Sequence, residues 1–140
     1  MTDTLAQIEP TTLADEHRYI ALGVDLSGLS CLVVGAGRIG ARKALSLSEG
    51  GARVAVVAPS LHPSLEPLRD EGRIRWIPAS YQTKHLHGVM LVVAATDDAE
   101  LNLRIGQEAK ERGILYSIVS PGRFSQVIFP AVHRGNGVTV

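Results

Sequence analysis

A single cysteine, no net charge and no apolar run long enough to cross a bilayer mark this 140-residue chain before any motif is read. With Cys31 alone, and in an apolar run, neither a disulfide framework nor a thiolate metal cluster can be built, so a reducing cytoplasm is the natural setting. Fourteen basic residues balance fourteen acidic ones, which leaves no summed field to draw the chain onto nucleic acid or an anionic membrane. Recognition must then be local. The apolar runs fall well short of the roughly 20 residues that span a membrane. The first sixteen residues carry acids where an export signal would be basic and then apolar, so a soluble, unexported protein is expected. The length suits one ordinary domain and leaves little room for a separate substrate domain.

What the chain does contain is an alternation of apolar runs with helical segments. Residues 1–17 hold scattered threonines and Pro10 without a clear period and read as a flexible extension. A short apolar stretch from Arg18 to Leu26 ends at Ser27-Gly28. The run Cys31-Leu32-Val33-Val34, stopped by Gly35, then has the continuous apolar character of a strand buried on both faces of a parallel sheet. Ala41, Ala44, Leu45 and Leu47 predict a helix with a small apolar face, terminated by Gly50-Gly51, and Arg53 to Ala58 predicts the second strand. Pro59 and Pro63 interrupt the chain before a helical stretch around Leu65 to Asp70. Arg73 to Ile77 follows as a strand near the edge of the sheet. Val89 to Ala95 predicts a fourth strand, Asp97 or Asp98 caps a helix running to about Arg112, Gly113 closes it, and Ile114 to Val119 is the fifth strand.

Strands alternating with helices impose parallel pairing through right-handed crossovers. The expected fold class is α/β, a Rossmann-type doubly wound sheet ordered 3-2-1-4-5 over residues 18–119. Residues 120–140 differ: Val127-Ile128-Phe129 and Val138-Thr139-Val140 flank a His133-to-Gly137 turn, which predicts a hairpin cut off in mid-strand and open to pairing with another chain.

The chemistry concentrates in Gly35-Ala36-Gly37-Arg38-Ile39-Gly40. A GxGxxG pattern is weak alone, but this one leaves a buried strand and opens a helix. Gly35 then permits the tight turn, Gly37 lets backbone approach a pyrophosphate, Gly40 lets helix pack on strand, and the helix N-terminus meets the negative charge. A tight βα turn with no ligand is the alternative. The acid that usually binds the adenosine ribose about 20 residues further on is absent. Ala58-Pro59-Ser60 stands there instead, so Ser60 and backbone groups must serve. Arg38 is either a partner for an NADP phosphate or a solvated helix-start arginine, and NAD is preferred. Thr96 in Ala94-Ala95-Thr96-Asp97-Asp98 reaches the carboxyl edge of the sheet and is expected to face the cofactor; Asp97 and Asp98 are read as helix caps.

The chain resembles the siroheme synthase N-terminal domain, the NAD-dependent precorrin-2 dehydrogenase that is often also a sirohydrochlorin ferrochelatase. The likeness runs from Tyr19 to Val140 and is carried by Leu26-Ser27-Gly28, Ala41-Arg42-Lys43, Gly51-Ala52-Arg53-Val54, Val57-Ala58-Pro59, Glu71-Gly72-Arg73-Ile74, Ala94 to Asp98, Leu101-Asn102 and Ile128-Phe129-Pro130-Ala131. The resemblance implies that Arg38, Ile39, Pro59 and Ser60 lie against NAD. It also implies that a tetrapyrrole, precorrin-2, is the substrate, and that the segment after Val119 starts the region through which a homodimer forms. Such enzymes pass a hydride to NAD⁺ while a proton leaves the macrocycle, which asks for a nearby base. Where the family places an aspartate after the fifth strand, this chain has Ser120, whose hydroxyl is a poor base without a partner. The chain also stops before the serine- and glycine-rich segment and helical tail that the resemblance leads one to expect.

Two readings follow: a precorrin-2 dehydrogenase-like enzyme, or a catalytically silent dinucleotide-binding module that lost its base. A regulatory domain of a transport system shares the fold but leaves Ile128 to Ala131 unexplained. His85 and His87, two apart, have no evident third metal ligand and read as loop histidines. His133 reads as a turn histidine, with service as a substitute base the alternative. Tyr81 and Lys84 are three apart rather than the four a short-chain dehydrogenase needs, and Trp76 reads as packing.

Overall fold

Ser30–Val34 (β1) is the central strand of the molecule because its residues are apolar on both faces, and a strand buried on both sides needs helices above and below it. Leu32 and Val34 point into one core and Cys31 and Val33 into the other, all at most 2% exposed. Around β1 lie Arg53–Val57 (β2), Ile74–Ile77 (β3), Leu91–Ala94 (β4) and Leu115–Ile118 (β5), every pair parallel, in the order β3-β2-β1-β4-β5. This is the order expected from the sequence. The computed structural model describes residues 19–119 and 125–129. Ser120, His133, the Val138-to-Val140 half of the expected hairpin and residues 1–18 lie outside them.

One face is covered by Arg38–Glu49 (α1) and the short Glu66–Asp70 (α2), which a 3-10 turn over Pro63–Leu65 introduces. Leu47, Leu65 and Leu68 seal this face onto Val54, Val56 and Ile74. The other face is covered by Ala99–Glu111 (α3), while the crossover from β3 to β4 contains only the 3-10 turn Thr83–Leu86. Asp98 is the cap of α3: its carboxylate accepts from the backbone N–H of Glu100 and Leu101 at 3.0 and 3.1 Å, leaving Asp97 uninvolved. Among the described residues no helix is long and apolar enough to cross a membrane.

The packing departs from the sequence reading in three places. Leu45, placed by its apolarity on the core face of α1, is 38% exposed. The stripe is instead Gly40, Ala41, Ala44 and Leu47, because one residue past Ala44 the helix has turned by about 100°. Among the described residues before β1, only Leu26 packs on the core; Ile20, Leu22 and Val24 are 78, 73 and 58% exposed.

The third departure is at the end of the fold. Val127-Ile128-Phe129 is not a strand. Instead Ser125 Oγ accepts from the N–H of Ile118 at 2.7 Å and donates to its carbonyl at 3.1 Å, and the N–H groups of Gln126 and Val127 both donate to the Tyr116 carbonyl. Residues 125–127 thus occupy the outer edge of β5, which the strand's own hydrogen-bonding groups would otherwise leave open. Val127 and Phe129 fold onto the α1 side of the core, and the Lys43 ammonium lies 4.4 Å from the centre of the Phe129 ring. Burial, with the neighbouring Arg42, holds the Lys43 amine below its ordinary range.

Tyr81 ties the β3–β4 crossover to α3. Its buried hydroxyl donates to Glu108 Oε1 at 2.7 Å, Thr83 donates to the same oxygen at 3.0 Å, and the Arg104 guanidinium sits over the Tyr81 ring. Burial and the bond to Glu108 push the phenol well above its usual range. Burial alone would raise the Glu108 carboxyl, but the bonds from Tyr81 and Thr83 and the charges of Arg104 and Arg112 bring it below the ordinary range. A Tyr81→Phe variant is expected to lose about 1 kcal/mol of stability in urea titration at pH 7. A carboxyl held low in the folded state stabilises it above the ordinary glutamate range and loses that contribution as pH falls through the lowered value. The gap between parent and variant should therefore narrow in acid; a gap that is flat with pH would mean that Glu108 is not the partner that matters.

Candidate functional site

The carboxyl ends of β1, β2 and β4 meet at a cavity of about 370 Å³, at the crevice outside the strand ends where open α/β sheets bind ligands. Its wall is formed by Val34 to Gly37 after β1, Val57 to Ser60 after β2, Ala79 to Tyr81 after β3, Ala95 to Asp97 after β4, and Leu101 of α3.

The glycine loop is built as the spacing predicts. Gly35 has φ +99°, and a Cβ on it would run into the Ala95 carbonyl. A Cβ at Gly40, buried in the first turn of α1, would strike the Gly35 carbonyl; its absence brings the helix down onto the strand end. Gly37 is different. Its backbone is extended (φ −77°, ψ −168°), which any residue adopts, and nothing lies within 4 Å of where its Cβ would be. It is the N-cap of α1 yet supplies no side-chain acceptor, and the first turn holds no acid. The loop therefore presents open backbone beside a positive helix end, a cradle that fits a pyrophosphate in shape and charge.

Of the residues singled out from sequence, Gly35, Ala36, Gly37, Pro59, Ser60 and Thr96 lie together on the cavity wall. Arg38 and Ile39 do not line it; both are exposed on the first turn of α1. Thr96 lines the cavity, but its hydroxyl is engaged inward, donating to Asn102 Oδ1 at 2.6 Å and accepting from the Asp98 N–H at 3.2 Å. Asp97 sits on the same wall and is exposed.

The sequence reading gave no role to Asn102 or Tyr81. Asn102 is 1% exposed and satisfies its whole amide. Oδ1 accepts from the Thr96 N–H at 3.0 Å as well as from its hydroxyl, and Nδ2 donates to the carbonyls of Thr96 at 3.0 Å and Val119 at 3.3 Å. One side chain thus joins the exit of β4 to the exit of β5. The signal was available: Asn102 falls on the buried stripe of α3 with Ile105, Gly106 and Ala109, and an amide on an apolar stripe must find partners. Tyr81 lines the crevice beyond the end of β3 without any local motif.

The other candidates have structural employment. Trp76 Nε1 donates to the Ala58 carbonyl at 2.9 Å, fixing the backbone just before Pro59. His85 Nδ1 accepts from the Gln82 N–H at 2.9 Å, as a cap of its turn. Cys31 is enclosed, and burial pushes its thiol up to about 11, so it is no nucleophile at neutral pH.

Residues 22–131 match the model of the family described as "Putative NAD(P)-binding". Among curated proteins the chain is 40% identical over 114 residues to the siroheme synthase of Sodalis glossinidius, covering 81% of this chain and 24% of that one. It is 43% identical over 102 residues to the siroheme synthase of Methylobacillus flagellatus, covering 73% and 22%. The chain therefore spans about a quarter of the length of these relatives. Among solved structures, SirC, a precorrin-2 dehydrogenase, superposes with a TM-score of 0.77 at 25% identity, over 87% of this chain and 60% of that one. The D-lactate dehydrogenase of Escherichia coli superposes at 0.54 with 15% identity over 74% of this chain and 32% of that one, a likeness of fold alone.

Proposed function

Because this chain belongs to the nicotinamide-dinucleotide-binding family of the siroheme synthase N-terminal domain, we propose that it binds NAD at the glycine-loop cavity and acts as a precorrin-2 dehydrogenase in siroheme biosynthesis. The observation that carries the reading is the open, uncapped Gly37 turn at the head of α1. The N–H groups of that turn hold the pyrophosphate, with Arg38 and Ile39 contributing backbone rather than side chain. Pro59 and Ser60 bound the ribose, and Ala79 to Tyr81 with Leu101 enclose the adenine. NAD is favoured over NADP because, among the described residues, no cationic side chain lines the wall where a ribose phosphate would sit. When bound, the dinucleotide supplies the two-electron acceptor for hydride from the reduced macrocycle, which also releases a proton. The chain's task is to orient the two and take that proton.

Calorimetry should register NAD⁺ more tightly than NADP⁺; equal affinities would remove the preference. In anaerobic spectroscopy with precorrin-2, NADH should form one for one with sirohydrochlorin.

Ser120, at the family's aspartate position, favours a second reading, a dinucleotide-binding module without turnover. Binding of NAD⁺ with no NADH, and turnover restored by Ser120→Asp, would establish that module; turnover by the parent chain would dismiss it. The reading extends to a homodimer, for which light scattering should return twice the chain mass, and to sirohydrochlorin ferrochelatase activity.

A further inference from the structure

At the opposite edge of the sheet, the amino ends of β2 and β3 open into a second groove of about 650 Å³, larger than the dinucleotide cavity. It exists because the β3–β4 crossover is a four-residue 3-10 turn instead of a helix. α3 covers β4 and β5, and the β2–β3 part of that face has no helix above it.

The residues left there are basic. β2 and β3 pair in parallel with Val54 beside Ile74 and Ala55 beside Arg75, so Arg53 and Arg73 stand side by side one residue earlier. Strand alternation puts Arg53, Arg73 and Arg75 on one face, and all three line the groove, with His85 and His87 on its wall. Among the described residues no carboxylate lines it. Glu71 reaches Arg73 at 3.7 Å in a half-exposed pair, and among the described residues no ion pair engages Arg53 or Arg75. The Gln82 N–H donates to His85 Nδ1, which leaves the ring hydrogen of the neutral imidazole on Nε2 as a donor. Like charges on neighbouring strands destabilise a sheet. Glu71 offsets only Arg73, so the guanidiniums of Arg53 and Arg75 beside it in this concave site are repulsive unless an anion joins them.

We propose that this groove binds a small polyanion, a molecule carrying two or more carboxylate or phosphate groups, separately from the dinucleotide cavity. Guanidiniums donate in pairs to either group, so the two anion classes share the recognition chemistry.

The test is calorimetric titration of the whole chain at low ionic strength with tripolyphosphate in one arm and citrate in the other. It is run on the parent, on Arg53→Ser/Arg75→Ser, and on Gly37→Asp, which closes the dinucleotide turn. Gly37→Asp, in which the glycine loop no longer competes for phosphate, should still bind the anion, and the double variant should bind at least about tenfold more weakly than the parent. The stronger arm assigns phosphate or carboxylate. Without anion the double variant should melt no lower than the parent, since repulsion has been removed. Equal binding by parent and double variant, loss of binding in Gly37→Asp, or no binding in either arm would overturn the proposal. Arg75→Gln, a single exposed change on the edge strand, keeps the comparison available if the double variant does not fold.

Discussion

Asn102→Leu should destabilise the protein by about 3–5 kcal/mol in urea unfolding at pH 7, although leucine is close to asparagine in size and sits on an apolar stripe. The side chain satisfies the N–H, the hydroxyl and the carbonyl of Thr96 and the carbonyl of Val119, and no solvent route replaces it at 1% exposure. Each buried group left without a partner costs about 1–3 kcal/mol, the lower end applying to the half-buried Thr96. Asn102→Asp is a sharper probe: it keeps the acceptor for Thr96 but sets a carboxylate oxygen against two carbonyls, so it should be no better tolerated at neutral pH. A loss below about 1 kcal/mol for the leucine variant would show that the two strand exits hold their places without this amide. Because Thr96 lies on the wall of the cavity proposed to hold the dinucleotide, weaker dinucleotide binding should accompany the lost stability.

The second large effect separates affinity from stability. Gly37→Asp places an acceptor at an uncapped N-cap whose backbone already suits it, and should raise stability by about 0.5–1 kcal/mol. The same carboxylate occupies the N–H groups and the positive helix end that would hold a pyrophosphate, and repels its charge. Dinucleotide affinity should fall about 100-fold or more, equivalent to about 2.7 kcal/mol. Gly35→Ala reverses the pattern of cause: the side chain would be forced to φ +99° and into the Ala95 carbonyl, and the fold should lose about 3 kcal/mol or more. Thermal unfolding and calorimetry on the two variants check this directly. A Gly37→Asp chain that still binds NAD⁺ at parental strength would place the dinucleotide elsewhere.

Short-range pattern determined much of this molecule. The unbroken Cys31-to-Val34 run reports burial on both faces, the glycines after it report a turn that only their spacing permits, and Asp98 three residues before Leu101 reports a helix start. Regular alternation of such segments leaves one economical parallel order, which is why β3-β2-β1-β4-β5 was legible. These features depend on periods of two and 3.6 residues and on local backbone sterics, and such information is contained in a short window of sequence.

The tertiary structure decided what depends on distance across the sheet. That Asn102 would reach Val119, that Ser125 would stand in for a strand along the edge of β5, and that Thr96 would turn its hydroxyl inward are outcomes of pairing between residues far apart in the chain. So is the meeting of Arg53 with Arg73, which follows from the register of β2 on β3 and from nothing in either segment alone. Register is set by packing of the whole core, because a slip of one residue would send every side chain of the strand to the other face, and a local reading has no access to that constraint.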